Sequence, residues 1–558
     1  MQVPIDNVGS IGLIADIFSA ETPPEAWTTV QNVRMGPQGA EKFLGHTKTV
    51  NTASAGWTQQ PIALFYAPVA GSTGFIVGPG LTKVYVRSAI APYTETEITR
   101  LAGVYAATQD KKWTGSVFGG IFILNNGVDE PQVWNPVIVG TKLANLSAFG
   151  SSPWVTTHRC GCMRPFGRYL VATDVTKAGT RFPQMVKWSH SADPGSLPSS
   201  WSITDPAVDA GEFGLQDATG VIVDHRGLRN KQMLYTTDQV WQMSYVGGTD
   251  IMGFDPVLRE QGALGINCVT LFKKSGAELH AVFGGNDIYV HNGQSADSII
   301  SPLLRRWLYQ QIDASFYARS FVVANPQFTE IWFCFPEQGY DQPSIAFVWN
   351  WTTGATSFRD LLKVSSGGDT RVVGSTAGTP FIGQAFIDDT STEPWTGDTQ
   401  TWNADTTIWN TRSSNPAVVR LLMADRSAGN RTFLVDDGQT YDGSSISWKL
   451  ERTYLSIIGR DREGNPKNDT TVDKLITELW PRFDAPIGTQ ITCNIGTSFA
   501  MAGAVSWGVD QTYNVGVDEF VPVYYSGRYI SVRFSGTHNV GVRGLGYALD
   551  IVQNGVYS

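Results

Sequence analysis

FIVGPGLTKVYV (Phe75 to Val86) decides the fold: an apolar strand runs into a Gly-rich turn, and the returning strand carries an aromatic beside Val. The same figure recurs as FILNNGVDEPQVWN (Phe122 to Asn135), YLVATDVTKAGTRFPQMVKW (Tyr169 to Trp188), LYTTDQVW (Leu234 to Trp241), VFGGNDIYV (Val282 to Val290), IWFCFPEQGYDQPSIAFVW (Ile331 to Trp349) and FLVDDGQTY (Phe433 to Tyr441). Its aromatic landmarks are Tyr85, Trp134, Trp188, Trp241, Tyr289, Trp349 and Tyr441. Their spacings are about 49, 54, 53, 48, 60 and 92 residues, close to the period of four-stranded propeller blades, and only the last needs an insertion.

A single four-stranded meander has two apolar faces and covers neither alone. Neighbouring meanders must therefore stack face to face around an axis, which also leaves only short edges open. The chain reads as all-β, a propeller of six or seven blades. A β-helix or a row of sandwiches produces similar spacing, and radial closure is what separates them.

With 558 residues, the chain is long enough for two to four domains and a substantial core. Only 16% of its residues are charged, against 18 Trp, 19 Tyr and 27 Phe. This composition suits half-buried pleated surfaces and broad protein contacts. The formal charge of −9 disfavours a dedicated nucleic-acid binder with a basic footprint. The five cysteines, Cys160, Cys162, Cys268, Cys334 and Cys493, are odd in number and sit in apolar strands, as buried thiols of a reducing compartment do. No apolar run is long enough to span a membrane, and Asp6 and Asp16 interrupt an opening that has no basic leader, so the protein is expected to fold in the cytoplasm.

The pattern divides the chain in three. Residues 1–50 lack the blade figure and form opening strands, built around the turn at Gly36, Pro37 and Gly39, that complete the propeller or contact a neighbour. Either this segment or the stretch around Phe433 is expected to finish a blade begun at the other end of the chain. Residues 51–445 carry the blades, with an insertion at about 386–415, and SIISPLLRRWLYQQI (Ser298 to Ile312) has helical spacing at Leu303, Leu304, Trp307 and Leu308. Residues 446–558 hold six alternating strand candidates, SWKLERTYLSI, DKLITELWPRF, TQITCNIG, FVPVYYS, RYISVRFSG and GLGYALDIV, which describe a C-terminal β-sandwich-like platform domain.

Inside the insertion, EPWTGDTQTWNADTTIWNTRSS places Trp395, Trp402 and Trp409 seven apart, with W-x-x-D-T shared by the first two units. Thr, Asn, Asp and Gly do not suit a helix, and odd spacing on a strand throws successive Trp to opposite faces. Stacked turns follow, either burying the three indoles on the propeller or offering them to a partner; these three are the candidate partner-contact residues.

Catalytic signatures are weak. SADPGSLPSSW (Ser191 to Trp201) holds Ser191, Asp193 and Gly195 of a sialidase-type Asp-box, but its Trp comes three residues too late and no second copy exists. Asp205 with Asp209 and Asp436 with Asp437 are paired acids that read first as turn formers, because a glycosidase needs a set separation across a cleft. His158, Cys160 and Cys162 lack the second pair that a zinc knuckle requires. No phosphate loop, nucleophile elbow or dinucleotide fingerprint occurs, so no catalytic residue, metal or cofactor is expected. Basic residues gather at Arg159, Arg164 and Arg168, at Arg226, Arg229 and Lys231, and at Arg305 and Arg306, reading first as solvated turns or subunit contacts and second as lumen contacts to passing DNA.

Four stretches resemble the nozzle proteins of short-tailed bacteriophages, the tail tubular or packaged-DNA stabilisation family. They are Pro24, Trp27, Asn32, Val33, Arg34, Gly39, Lys42 and Gly45 of the opening; WSHSADPGSLPSSW and DQVWQMSYVGG; DIYVHNGQSADSI with the LLRRWL helix; and GRYISVRFSG with GLGYALDIVQNG. The resemblance implies a non-enzymatic virion protein, made in the host cytoplasm. It implies a homo-oligomeric ring of six that continues the DNA channel below a tail adaptor protein, meets tail fibre or spike proteins, and passes double-stranded DNA without sequence preference. An acidic chain suits a conduit, because cationic walls would hold phosphates in place. The Trp heptad has no counterpart in that family. A glycan-processing or receptor-binding propeller at the virion tip is the alternative.

Overall fold

The computed structural model describes residues 2–14, 22–48, 56–67, 74–88, 94–137, 139–248, 250–361, 381–384, 419–424, 430–460, 466–500 and 503–556. Seven four-stranded antiparallel units are present among them. Blades one to six occupy 65–97, 114–145, 159–214, 222–258, 269–298 and 321–360. In each, the quoted figure supplies the second and third strands. Six landmark aromatics hold equivalent places on the third strand, facing Gly78, Phe122, Val171, Leu234, Val282 and Ile331 of the second.

Blade seven departs from the figure. Its strands are Phe381–Gln384, Val419–Ala424, Thr432–Val435 and His46–Lys48, with Val435 opposite His46 and Phe433 opposite Lys48. The returning strand thus comes from the opening segment, and Tyr441 instead stacks on the His46 ring at 4.8 Å. The long insertion falls between the first two strands of this blade, and Trp395, Trp402 and Trp409 lie outside the described residues.

Burial explains the ring. Neighbouring blades are joined by apolar seams, because alternate residues of one strand face opposite neighbours. On Ile121–Asn125, Phe122 and Leu124 pack toward blade one while Ile121 and Ile123 pack toward blade three. Val171, Trp188, Leu234 and Trp241 fill the next seam, and Met233, Tyr235, Val282 and Tyr289 the one after. Trp57, Ile76, Tyr85 and Leu422 close blade seven against blade one.

The platform is two sheets. One contains Val33–Gly36, Gly39–Lys42, Arg543–Val556, Val472–Asp484 and Val521–Gly527, with Gln2–Asp6 paired to Arg543–Val556. The other is the continuation of blade six. Thr29–Gln31 runs parallel to the outer strand Thr356–Asp360 and antiparallel to Ile446–Leu455, which leads on to Tyr529–His538 and Gln490–Ser498. A ten-stranded sheet therefore crosses from propeller to platform, and one core includes Phe283 and Phe333 of the blades and Trp448, Phe534 and Leu549 of the platform. Helix Pro302–Gln311 starts at Ser301, whose hydroxyl accepts the Leu304 N–H, and it drives Leu304 and Leu308 into that core.

Candidate functional site

The innermost strands of a propeller surround an axis where ligands commonly sit, so the hub is the first place to look. Here it is bridged. Lys112, just before blade two, donates from Nζ to the carbonyls of Ile266, before blade five, and Ser320, before blade six; the first contact is 2.8 Å. Asn267 donates to the Trp113 carbonyl at 3.3 Å, and Arg164 of blade three donates to Asn267 Oδ1 at 3.0 Å. Blades two and five, two and six, and three and five are not ring neighbours. These contacts therefore cross the axis. Arg319 to Asp110 at 2.7 Å and Gln342 to Gln109 at 2.6 Å add a further span between blades two and six.

The centre of the bridge is Asp224 on the first strand of blade four. Its Oδ1 accepts from Arg164 Nε at 2.9 Å, the Cys162 thiol at 3.4 Å and the His225 N–H at 2.8 Å; its Oδ2 accepts from Arg164 Nη2 at 3.3 Å and the Asn267 N–H at 3.0 Å. Burial alone would raise this carboxyl, but Arg164 and Arg226 hold it down to about 2. Burial pushes the Cys162 thiol up to about 12, which leaves it neutral. Arg164 and Arg226, read from sequence as solvated turns or subunit contacts, lie on blade strands at the hub. The clue was their setting within the strand-like runs RCGCMRPF and VIVDHRGL.

Next to the hub, Tyr235 joins two imidazoles of blade five. The Gly293 N–H donates to His291 Nδ1 at 3.1 Å, which leaves the proton on His291 Nε2, 2.7 Å from Tyr235 Oη. The hydroxyl in turn donates to His280 Nδ1 at 2.5 Å, and His280 Nε2 donates to the Gly227 carbonyl at 3.0 Å. Every donor has one acceptor. Burial lowers His280 to about 3 and His291 to about 4, so both rings are neutral at physiological pH and the relay is structural.

A second buried charge cluster binds the opening segment to blades six and seven. Arg34 donates to both Glu330 oxygens at 2.6 and 3.2 Å and to Asp436 Oδ2 at 2.8 Å. Arg359 donates to Asp436 Oδ1 and, at 3.0 Å, to the Leu44 carbonyl. Asn325 and Trp332 complete the acceptors of Asp436 and Glu330 at 2.6 and 3.0 Å. Arg34 lies 3.6 Å over the Phe328 ring. Asp436, one of the paired acids noted in sequence, is thus a joint, while Asp437 accepts from the Thr47 hydroxyl. Asp205 caps the Ala207 N–H, and Asp209 accepts from Tyr169 and Ser191.

Among the described residues, no group of three or more His, Cys, Asp or Glu side chains is placed to hold a metal ion. Among the described residues, too, no helix is long and apolar enough to cross a membrane. The Asp193 turn forms an exposed pair with Arg168 on the surface.

No known protein family matches the chain, and no curated protein does. Solved structures that it is similar to include the N-terminal domain of Nup159, at 9% identity and a TM-score of 0.35 over 76% of this chain and 99% of that one. A putative 6-phosphogluconolactonase from Bacteroides fragilis matches at 9% identity and 0.32, covering 76% and 92%. AztD from Citrobacter koseri matches at 11% and 0.29, covering 55% and 90%.

Proposed function

We propose that this chain is a structural component of a short phage tail, a wall segment that assembles with copies of itself, in a ring of six, around the path of the DNA. The observation that carries this reading is the ten-stranded sheet fusing blade six to the platform through Thr29–Gln31. A propeller that acts by capturing ligands needs only its mouth; one built into a wall benefits from having no hinge between its halves. Two further features support it. The bridged hub leaves the propeller's own axis unfit for a duplex, so any conduit lies between subunits. Ile487, Val509, Val517 and Tyr524 expose apolar surface on the platform, at 83, 71, 65 and 76% of their full accessibility, as subunit contacts require. In this reading the chain is not an enzyme, its other partners are the tail adaptor and fibre or spike proteins, and Trp395, Trp402 and Trp409 contact one of them.

Negative-stain imaging of the protein mixed with its virion neighbours tests the proposal. Six-fold rings with a central hole are expected. Persistent monomers that hydrolyse a capsule oligosaccharide, with the activity lost on changing one loop acid, would replace it with the glycan-processing alternative.

A further inference from the structure

The hub has more positive charge than it can neutralise. Arg164 and Arg226 face a single carboxylate, Asp224, whose two oxygens already accept from five donors. A carboxylate offers about four lone-pair sites, so no capacity is left for Arg226. Arg226 lies two residues along the same strand, on the same face, and its guanidinium has no hydrogen bond or ion pair to any described residue. Its Nε is fully enclosed and without a partner. The residue as a whole keeps some accessible surface.

Nearby acceptors are committed elsewhere. The Gly227 carbonyl takes His280, the Tyr235 hydroxyl serves two imidazoles, and Arg164 repels rather than pairs. Lys112 spends its ammonium on backbone carbonyls, with Asp224 and Asp110 as the carboxylates that favour its charge. Burial and Arg164 lower Arg226 only to about 10, so it stays charged at neutral pH. A guanidinium whose Nε is enclosed without a partner gains from a counter-ion that joins it.

We propose that Arg226, backed by Arg164, holds a small oxyanion at the hub, a phosphate or a carboxylate. The planar fork of a guanidinium matches two oxygens of either, which a spherical halide cannot do. The site is complete within one chain and does not depend on assembly.

Thermal unfolding of the full chain, at constant ionic strength in a chloride buffer, tests it. Titrated phosphate is expected to raise the midpoint saturably, by on the order of 1 °C, and acetate run in parallel separates the two ligand classes. R226M is expected to lose the response, while R168M, at a surface arginine, keeps it. Dialysis against radiolabelled phosphate is expected to retain a single equivalent on the native protein and at least tenfold less on R226M. Should R226M fail to fold, R226K is expected to bind several-fold more weakly, because it keeps the charge and loses the fork. Equal responses in native protein and variant, or a linear rise without saturation in both, would overturn the assignment, the latter marking general exclusion of the salt from the surface.

Discussion

Two of the buried charge clusters among the described residues are built on opposite accounts. At the joint between opening segment and blades, Arg34 and Arg359 meet Glu330 and Asp436, and each partner satisfies the other. At the hub, Arg164 and Asp224 pair while Arg226 is left over. Buried ion pairs contribute little net stability, but breaking one strands its partner. The joint therefore works as a fastener whose loss is felt at once. The hub works as a holder with one position open. Charge balance, more than burial, separates a structural network from a place where something binds.

Acid tests the contrast most strongly. His46 and His225 are lowered to about 3 by burial and by nearby arginines, and His280 and His291 by burial, His280 also by the ring of His291, so all four titrate well below the ordinary 6.5. The unfolded chain takes up their protons as pH falls below about 6.5, whereas the folded protein does so only near 3 to 4, so stability drops across that window. Each ring loses roughly 1.4 kcal/mol per pH unit, on the order of 5 kcal/mol per unit together. Three of the four flank the hub. Amide exchange at pH 5 is expected to rise in 222–298 before 33–48, and simultaneous opening would erase the distinction between the clusters.

At the joint, R359M leaves Asp436 with one arginine and is expected to cost about 3–5 kcal/mol in urea unfolding. A loss below about 1 kcal/mol would mean that the cluster fastens nothing. Y235F removes the hydroxyl shared by His280 and His291 and is expected to cost about 1–3 kcal/mol. The smallest effect belongs to R226M, within about 1 kcal/mol of the native protein in phosphate-free buffer, because relief of the unpaired Nε offsets the loss of one of the two arginines that hold the Asp224 carboxyl down. A large destabilisation there would reveal a partner and close the open position.

Much of the architecture was legible because strand, turn and aromatic landmark recur locally. Six of the seven figures became second and third strands, and the six alternating segments after residue 446 became the platform. The seventh figure stops halfway, since pairing Val435 with His46 joins residues far apart in sequence and leaves no periodic trace. The opening segment was expected to complete a blade begun at the other end of the chain, and His46–Lys48 does so in blade seven, while its other strands join the platform. The hub charges were harder to see. HRGLRNK looks like a basic turn when read alone, and only the alternation of VIVDHRGL before it turns Asp224 and Arg226 inward. Which blades meet across an axis follows from ring closure, which no single segment encodes.

Pairing Val3 with Leu549 sets the schedule on which the chain becomes a protein. While the ribosome is still translating, Gln2–Asp6 and Thr29–Gln31 wait for partners that emerge hundreds of residues later, and His46–Lys48 waits for Thr432–Val435. Long-range pairing of this kind folds slowly and leaves strand edges open to other nascent chains. Chaperone demand during synthesis, and aggregation of fragments cut short of the platform, are written into the same strands that later weld the two halves together.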